Sequence, residues 1–272
     1  MKFESLEITS AGGVATIWLN RPDVRNAFDD TVIAELDAAL AALATDAAVR
    51  VVVLGGRGKA FCAGANLNWM KRMAGYSYEE NRTDALALAN MLNRLYSLPK
   101  PTIARVHGPA FAGGMGLVCA CDMAIASTEA QFRLTEVRIG LTPATISPYV
   151  INAMGERMAR RYFLTAEAFD AAEAHRIGVV HDVTAPDALD GRVSDIAAQL
   201  LQGSPAALAA SKTLIADVAR APIDEALIGD TAARIAEARA SEEGREGVRS
   251  FLEKRRPAWT TGSNTPSEGK TR

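Results

Sequence analysis

The 272-residue chain has few of the features that mark several classes of protein. Its three cysteines, Cys62, Cys119 and Cys121, form an odd set without regular spacing, which argues against a disulfide framework and favours a reducing compartment. Cys119 and Cys121 are too close in sequence for a zinc pair and have no cluster of partner ligands, so no metal site is expected. The net charge of −2 gives no indication of a nucleic-acid surface.

Long apolar runs are missing as well. No stretch reaches the length of a transmembrane helix, and the N-terminal segment MKFESLEITS lacks the apolar region of a signal peptide. We therefore expect a soluble, cytoplasmic protein. Hydrophobic residues make up 49% of the chain, which is enough for a sizeable core in one large domain or in one domain with an appendage.

Segments typical of strands and helices alternate along most of the chain. Residues 3–8 and 14–19 flank a glycine-containing turn and predict an antiparallel hairpin. Asp29 or Asp30 can begin a helix, and residues 51–54 are a continuous apolar run typical of a buried strand. Residues 76–81 are polar and predict a loop. This alternation predicts an α/β fold with a helix-covered sheet.

The pattern changes near residue 204. Ser204 and Pro205 form a cap and first turn for a helix, and the sequence from there to Arg256 is helical in character. We predict an α/β core over residues 1–203, a helical C-terminal region over residues 204–259 and a disordered tail over residues 260–272.

Two glycine-containing stretches are candidates for a binding site. VHGPAFAGGMGLVCACDMAIA, residues 106–126, predicts a strand, a tight turn at Gly113-Gly114-Met115-Gly116 and the start of a helix. Unpaired N–H groups at a helix start favour developing negative charge, although a glycine turn that only packs a helix on a strand fits equally well. In GGRGKAFCAGANL, residues 55–67, Ala63-Gly64-Ala65 also leaves N–H groups accessible, but an ordinary surface loop is favoured for this stretch taken alone.

Glu136 is the candidate acid. It follows a short predicted strand and lies among apolar neighbours, where burial would raise the pKa of its carboxyl group and suit it to proton transfer near neutral pH. The alternative is an ion pair with Arg133 or Arg138. His175 and His181 have no neighbouring residues in the sequence that complete a triad or a metal site.

Six motifs, in a fixed order along the chain, resemble those of a known enzyme family. NRPDVRNAF, GRGKAFCAGANL, KPTIARVHGPAFAGGMGL, CDMAIA, FRLTEVRIGLTP and FLEKRRPAW together resemble the enoyl-CoA hydratase/isomerase (crotonase) family, from Phe3 to about Trp259. The resemblance implies a spiral of ββα units with a helical C-terminal trimerisation region, as a homotrimer or a dimer of trimers. Within the family, TEVRIGLTPATISPYV looks most like the bacterial methylglutaconyl-CoA hydratase branch of leucine degradation.

The resemblance also implies roles for particular residues. The backbone N–H groups of Ala65 and Gly113 would form an oxyanion hole for the thioester oxygen of an acyl-CoA substrate, and Glu136 would be the catalytic carboxylate. Coenzyme A would enter as part of the substrate, with no permanently bound cofactor. Its binding residues would be Arg25, Ala63, Gly64, Asn66, Leu67, Gly114, Gly116 and, from a neighbouring subunit, Lys254.

The chain departs from the family pattern at two of these positions. Typical hydratases carry a first glutamate where this chain has Gly116, and many members have aspartate where it has Asn66. One carboxylate suffices for moving a proton between two carbons, whereas hydration also needs a held water. Hydration of a short or branched enoyl-CoA, possibly methylglutaconyl-CoA, is therefore the leading hypothesis; the alternatives are double-bond isomerisation by Glu136 alone and non-catalytic acyl-CoA binding.

Overall fold

The main sheet carries the fold. In the computed structural model, which describes residues 2–260, its six strands have the order β1-β2-β3-β4-β6-β9. The strands are β1 (Leu6–Ala11), β2 (Val14–Leu19), β3 (Val51–Gly56), β4 (Thr102–Val106), β6 (Met123–Ser127) and β9 (Asp182–Thr184). β1 and β2 pair antiparallel, and each later neighbour is parallel. The predicted hairpin is thus confirmed.

A smaller sheet lies next to the candidate site. It consists of β5 (Ala110–Phe111), β7 (Gln131–Arg133) and β8 (Phe169–Asp170), in the order β5-β7-β8. β5 and β7 pair in parallel, and β7 and β8 pair antiparallel. Because β5 leads into the glycine turn and β7 leads to Glu136, this sheet sets the position of one relative to the other.

Ten α-helices complete the described part of the chain. They are α1 (Asp30–Thr45), α2 (Leu67–Met73), α3 (Tyr78–Tyr96), α4 (Gly113–Ala120), α5 (Ser147–Thr165), α6 (Ala171–Arg176), α7 (Leu189–Gln202), α8 (Pro205–Val218), α9 (Glu225–Ala240) and α10 (Glu242–Leu252). The larger apolar core joins the main sheet to α1, α3, α4 and α5, and a second cluster packs α7 on the opposite face. No described helix is long and apolar enough to cross a bilayer. The predicted α/β class is confirmed.

The start of α1 was read correctly from the sequence. Asp29 is the N-cap, and its Oδ1 accepts a hydrogen bond of 3.1 Å from the Val32 N–H. The same carboxylate forms an ion pair with Arg21. Asp29 thereby satisfies one of the amides that a helix start leaves open.

The loop predicted at residues 76–81 is wrong. Ser77 is the N-cap of α3, its hydroxyl accepts from the Glu80 N–H, and the Glu80 carboxylate accepts from the Ser77 N–H at 2.8 Å. This reciprocal pair is a capping box. The polar residues that suggested a loop form the exposed first turns of a helix whose apolar face begins only further along.

The C-terminal helices are tied to the core by a few polar contacts. Ser204 caps α8 as predicted, accepting from the Ala207 N–H at 3.1 Å. Lys212 on α8 reaches Asp122 at 2.7 Å, and Arg50 donates to the Gly203 carbonyl at 2.6 Å. The division at residues 203 and 204 itself stays a prediction.

The predicted tail begins one residue too early. Thr260 ends a short 3-10 helix, Ala258–Thr260, and is buried. The preceding Trp259 donates to the Gln202 carbonyl at 2.9 Å and accepts from Arg50 at 3.0 Å, which ties this segment to the rest of the protein. The remainder of the predicted tail, residues 261–272, lies outside the described residues.

Candidate active site

Two loops run side by side at the centre of the site. Cys62 and Ala110 form an isolated parallel bridge, in which the Phe111 N–H donates to the Cys62 carbonyl at 2.9 Å. On its other side, the first loop pairs with Phe28, whose N–H donates to the Gly64 carbonyl at 2.7 Å. A Cβ built on Gly64 would lie 3.3 Å from the Ala112 Cβ, so the residues immediately before Ala65 and Gly113 are in contact. The structure thus brings together the two predicted oxyanion residues.

Both of these residues have an N–H group without an acceptor among residues 2–260. Ala65 bridges Phe28 through its neighbours, since Gly64 accepts from Phe28 and Asn66 donates to it at 2.6 Å; the Ala65 N–H takes no part. Gly113 is the first residue of α4, where the helix cannot supply an acceptor. Both residues are half-buried, and two open donors on adjacent loops, one of them at a helix start, form a candidate site for an oxygen that carries negative charge.

The residue before Gly113 has an uncommon backbone conformation. Ala112 has φ 48° and ψ −119°, a region that residues with a side chain rarely occupy. It is held there because its N–H donates to the Arg133 carbonyl at 2.8 Å, while its own carbonyl accepts from Met115 at 3.0 Å. Sequence reasoning did not identify Ala112, because alanine gives no sign of a positive φ.

Close packing leaves no room for side chains on the two glycines of this turn. A Cβ at Gly113 would lie 2.8 Å from the Phe28 ring, and one at Gly114 would lie 2.6 Å from the Cys62 carbonyl oxygen. Gly64 has φ +95° and borders Ala112. These glycines bring α4 and the 62–65 loop into contact. The turn therefore serves packing, and this does not conflict with a role of its N–H groups in binding.

Glu136 lies at the start of a 3-10 helix, Glu136–Ile139, three residues after the end of β7. One of its carboxylate oxygens, Oε2, is buried without a hydrogen-bond partner in the described part of the chain. Burial raises the pKa of this carboxyl group above its usual value of 4.5. A raised pKa with an unpaired oxygen is typical of a group that exchanges protons.

The alternative role for Glu136 is wrong. Within residues 2–260, Glu136 forms no ion pair. The Arg133 guanidinium instead donates to the Ala166 carbonyl at 2.8 Å, and Arg138 is exposed. The orientation of an arginine side chain depends on its tertiary contacts. Proximity in the sequence therefore did not identify the hydrogen-bond partner of Arg133.

Gly116, where the family's first glutamate would stand, is buried inside α4. A Cβ built on it would overlap the γ2 methyl of Ile146 and lie 2.8 Å from that residue's Cβ. Ile146 itself is buried. Gly116 therefore serves packing against Ile146 in this structure, and Ile146 is a residue that the sequence did not point out.

Asn66 has a structural role that the sequence analysis missed. It is the N-cap of α2, and its side-chain oxygen accepts from the Asn68 N–H at 2.9 Å. Asparagine and aspartate cap helices about equally well, so the departure from the family's aspartate keeps this function. Leu67, the first residue of α2, is 74% exposed.

The remaining predicted CoA residues are exposed or near the loop. Arg25 is exposed with φ 53°, and its carbonyl accepts from the Ala63 N–H at 3.0 Å, so its side chain starts beside the 63–65 loop. Lys254 is exposed just after α10. Its predicted role concerns a second copy of the chain and stays a prediction.

Other reactive side chains are inert or otherwise engaged. Burial raises the pKa of the Cys62 and Cys119 thiols to about 12, so neither is a thiolate at neutral pH. The His181 ring accepts from the Ala124 N–H at 3.1 Å. Residues 2–260 contain no group of three side chains that could bind a metal ion.

Comparison with known proteins identifies the family. The family model described as "Enoyl-CoA hydratase/isomerase" matches residues 9–262. The chain belongs to the enoyl-CoA hydratase/isomerase family. A crystal structure of an enoyl-CoA hydratase from Shewanella pealeana superposes with a TM-score of 0.93 at 44% identity, covering 95% of this chain and 97% of that one. The predicted crotonase-like fold is confirmed by this likeness.

Two relatives of known name indicate the range of substrates in this family. The short-chain-enoyl-CoA hydratase of Clostridium acetobutylicum is 33% identical over 94% of this chain and 97% of its own length. The 2,3-dehydroadipyl-CoA hydratase of Escherichia coli is 31% identical over 90% of this chain and 94% of its own. Family members with different acyl groups are thus similar to this chain to about the same degree, and the chain is an enzyme of the lyase type that such hydratases represent.

We predict that Glu136→Gln abolishes turnover without lowering stability at pH 7. The amide keeps the shape but cannot accept a proton. Because the folded-state pKa is raised, the buried carboxylate destabilises the folded wild type above pH 4.5 and has no such effect once it is protonated in both states. The melting temperature of the variant should therefore exceed that of the wild type at pH 7, and this difference should disappear at acidic pH.

The pH dependence of the wild type provides a second readout. Since Glu136 must be deprotonated to accept a proton, kcat/KM should begin to fall on the acid side at a pH above 4.5. The matched control for Glu136→Gln is Glu129→Gln, which changes an exposed glutamate and should leave turnover unchanged. A Glu136→Gln enzyme that keeps its turnover but melts lower at pH 7 would contradict the assignment.

Proposed function

We propose that this protein hydrates a short or branched enoyl-CoA thioester. The observation that carries the proposal is a set of three polar groups. The backbone N–H groups of Ala65 and Gly113, on adjacent loops, have no hydrogen-bond acceptor among residues 2–260, and one carboxylate oxygen of Glu136 is buried without a partner there. The first two suit an oxygen that gains negative charge, and the third suits a group that takes up and returns a proton. A thioester conjugated to a double bond needs both.

In the proposed reaction, the thioester oxygen accepts hydrogen bonds from the Ala65 and Gly113 N–H groups. Glu136 accepts a proton from water as the water oxygen bonds to C3, and the electron pair of the double bond moves to give an enolate. Glu136 then returns that proton to C2, so that one water adds across the double bond. Donors of this kind contribute about 2.7–4 kcal/mol each to transition-state stabilisation.

Two features support the proposed role of these donors. The N-terminal end of α4 carries the positive end of the helix dipole, which favours a developing anion. The donors also belong to backbone held on both sides by hydrogen bonds of 2.6–3.1 Å, so they do not have to reorganise when the charge develops. CoA itself would lie along Arg25, Ala63 and Leu67, at the open side of the loop.

Double-bond isomerisation is the second candidate. A specific observation favours it: the position of the first family glutamate is Gly116, covered by Ile146, which leaves Glu136 as the acid in this part of the site. Moving a proton from one carbon to another through an enolate needs one carboxylate and no water. Methylglutaconyl-CoA is the substrate that the sequence resemblance favours within the hydratase hypothesis.

The test is a panel of enoyl-CoA thioesters followed for both hydration and double-bond migration. We expect hydration of short and branched members, with methylglutaconyl-CoA among the best substrates by kcat/KM. Migration faster than hydration on every member would make the protein an isomerase. Tight binding with neither reaction would make it an acyl-CoA binder and refute the proposed activity.

The assembly proposed for this enzyme is a homotrimer or a dimer of trimers. Large apolar side chains on α9 and α10 are strongly exposed in the single chain: Ile228 58%, Val248 59%, Phe251 81% and Leu252 72%. Val248, Phe251 and Leu252 share one face of α10 by their spacing of three and four residues. Such faces on a soluble protein mark association surfaces.

Light scattering should therefore give the mass of three or six chains. Phe251→Asp should lower that mass, because a carboxylate cannot be buried unpaired at an apolar contact. Glu242→Ala, on another face of the same helix, is the control and should leave the mass unchanged. A monomeric wild type at working concentration would contradict the assembly.

A further inference from the structure

Ile146 and position 116 compete for the same space. The γ2 methyl of Ile146 fills the volume that a Cβ on Gly116 would need, and the Ile146 Cβ would be only 2.8 Å from it. Ile146 is 2% exposed, so it has no room to turn outward into solvent. The side chain at residue 146 therefore determines whether α4 can carry any side chain at this point.

The same isoleucine belongs to the segment that leads from Glu136 to α5. Just after Glu136, the Leu141 N–H donates to the Glu136 carbonyl at 3.0 Å, and just before α5 the Tyr149 and Val150 amides donate to the Ile146 carbonyl at 3.2 and 3.1 Å. On the other side, Ala112 at the start of α4 is hydrogen-bonded to Arg133, close to Glu136 in the chain. Ile146 thus packs against α4 at Gly116 and, as the N-cap of α5, ends the segment that begins at Glu136.

We propose that Ile146 is the specificity-determining residue of this site, which sets the partition between hydration and double-bond migration. This inference rests on the proposed acyl-CoA chemistry. By filling the volume at position 116 with methyl groups, Ile146 removes both a second carboxylate and the space for a water that such a carboxylate would hold. Water then has Glu136 as its acid/base partner, and each proton that Glu136 takes from the substrate is free to return to another carbon.

Hydration consumes one water molecule, whereas double-bond migration consumes none. In migration, Glu136 takes a proton from C4, the electron pair forms a conjugated enolate, and the same proton returns to C2, so the double bond moves with no change in composition. In hydration, a water oxygen bonds to C3 and its proton reaches C2 through Glu136. An apolar wall disfavours only the second reaction, because a water in an apolar space lacks hydrogen-bond partners.

The test measures, for the full-length purified enzyme and its variants, the ratio of the hydration rate to the rate of double-bond migration. Ile146→Ala should raise the ratio several-fold, since it opens space for water. Gly116→Glu alone should fold poorly, whereas Gly116→Glu combined with Ile146→Gly, which removes the Ile146 Cβ as well as its methyl groups, should fold and raise the ratio by about 10²-fold, the lower end of a general acid/base contribution. Ile146→Leu, which keeps the side-chain volume but has no γ2 methyl, is the milder variant, with a smaller rise expected, and keeps the test decisive if the larger truncation does not fold.

Ile125→Ala is the matched control. Ile125 is fully buried but belongs to the cluster on the opposite face of the main sheet, so it should lower the melting temperature and leave the ratio unchanged. Unchanged ratios in folded Ile146→Leu and in the folded double variant would overturn the inference while the proposed activity stands. A wild type that turns over no enoyl-CoA would instead refute the proposed function itself.

Discussion

A helix must leave its first amides without partners inside the helix, and the candidate site of this protein depends on that constraint. α4 begins at Gly113, which is half-buried, and the helix enters the core from Gly114 onward. The neighbouring 62–65 loop adds a second open N–H at Ala65 because Phe28 pairs only with the residues on either side. The fold thus has two donors directed away from all of its own described acceptors.

Most of the surrounding packing serves to keep these donors in place. Ala112 is held at a positive φ by a hydrogen bond to Arg133, and the Phe28 ring lies against Gly113. A residue in such a region costs of order 1–3 kcal/mol, which the rest of the structure must offset. In the small sheet β5-β7-β8, β5 precedes the glycine turn and β7 precedes Glu136, so this sheet positions the Gly113 donor relative to the acid.

The sequence predicted the elements whose causes are local. The hairpin, the Asp29 cap of α1 and the Ser204 start of α8 each depend on residues within a few positions of one another. The capping box at Ser77 was also local but was overlooked, because the exposed polar turns before Leu88 resemble a loop in composition. The two oxyanion candidates came from the family resemblance, and the unpartnered state of their N–H groups became visible only in the pairing of distant loops.

What could not be predicted depends on contacts between distant residues. Ile146 lies 30 positions after Gly116, and no spacing rule relates an isoleucine to a missing glutamate. The ion-pair alternative for Glu136 failed for the same kind of reason, since Arg133 finds the Ala166 carbonyl instead. Asn66 was expected only as a CoA-binding residue, and its position before α2 also makes it a helix cap.

The most direct test of this account is a crystal structure of the protein with an unreactive acyl-CoA thioester analogue. The account predicts that the thioester oxygen lies about 2.7–3.1 Å from both the Ala65 and the Gly113 nitrogen, with the Glu136 carboxylate facing C2 and C3 of the acyl group. A thioester oxygen bound elsewhere, with water or a side chain on these two N–H groups, would contradict it.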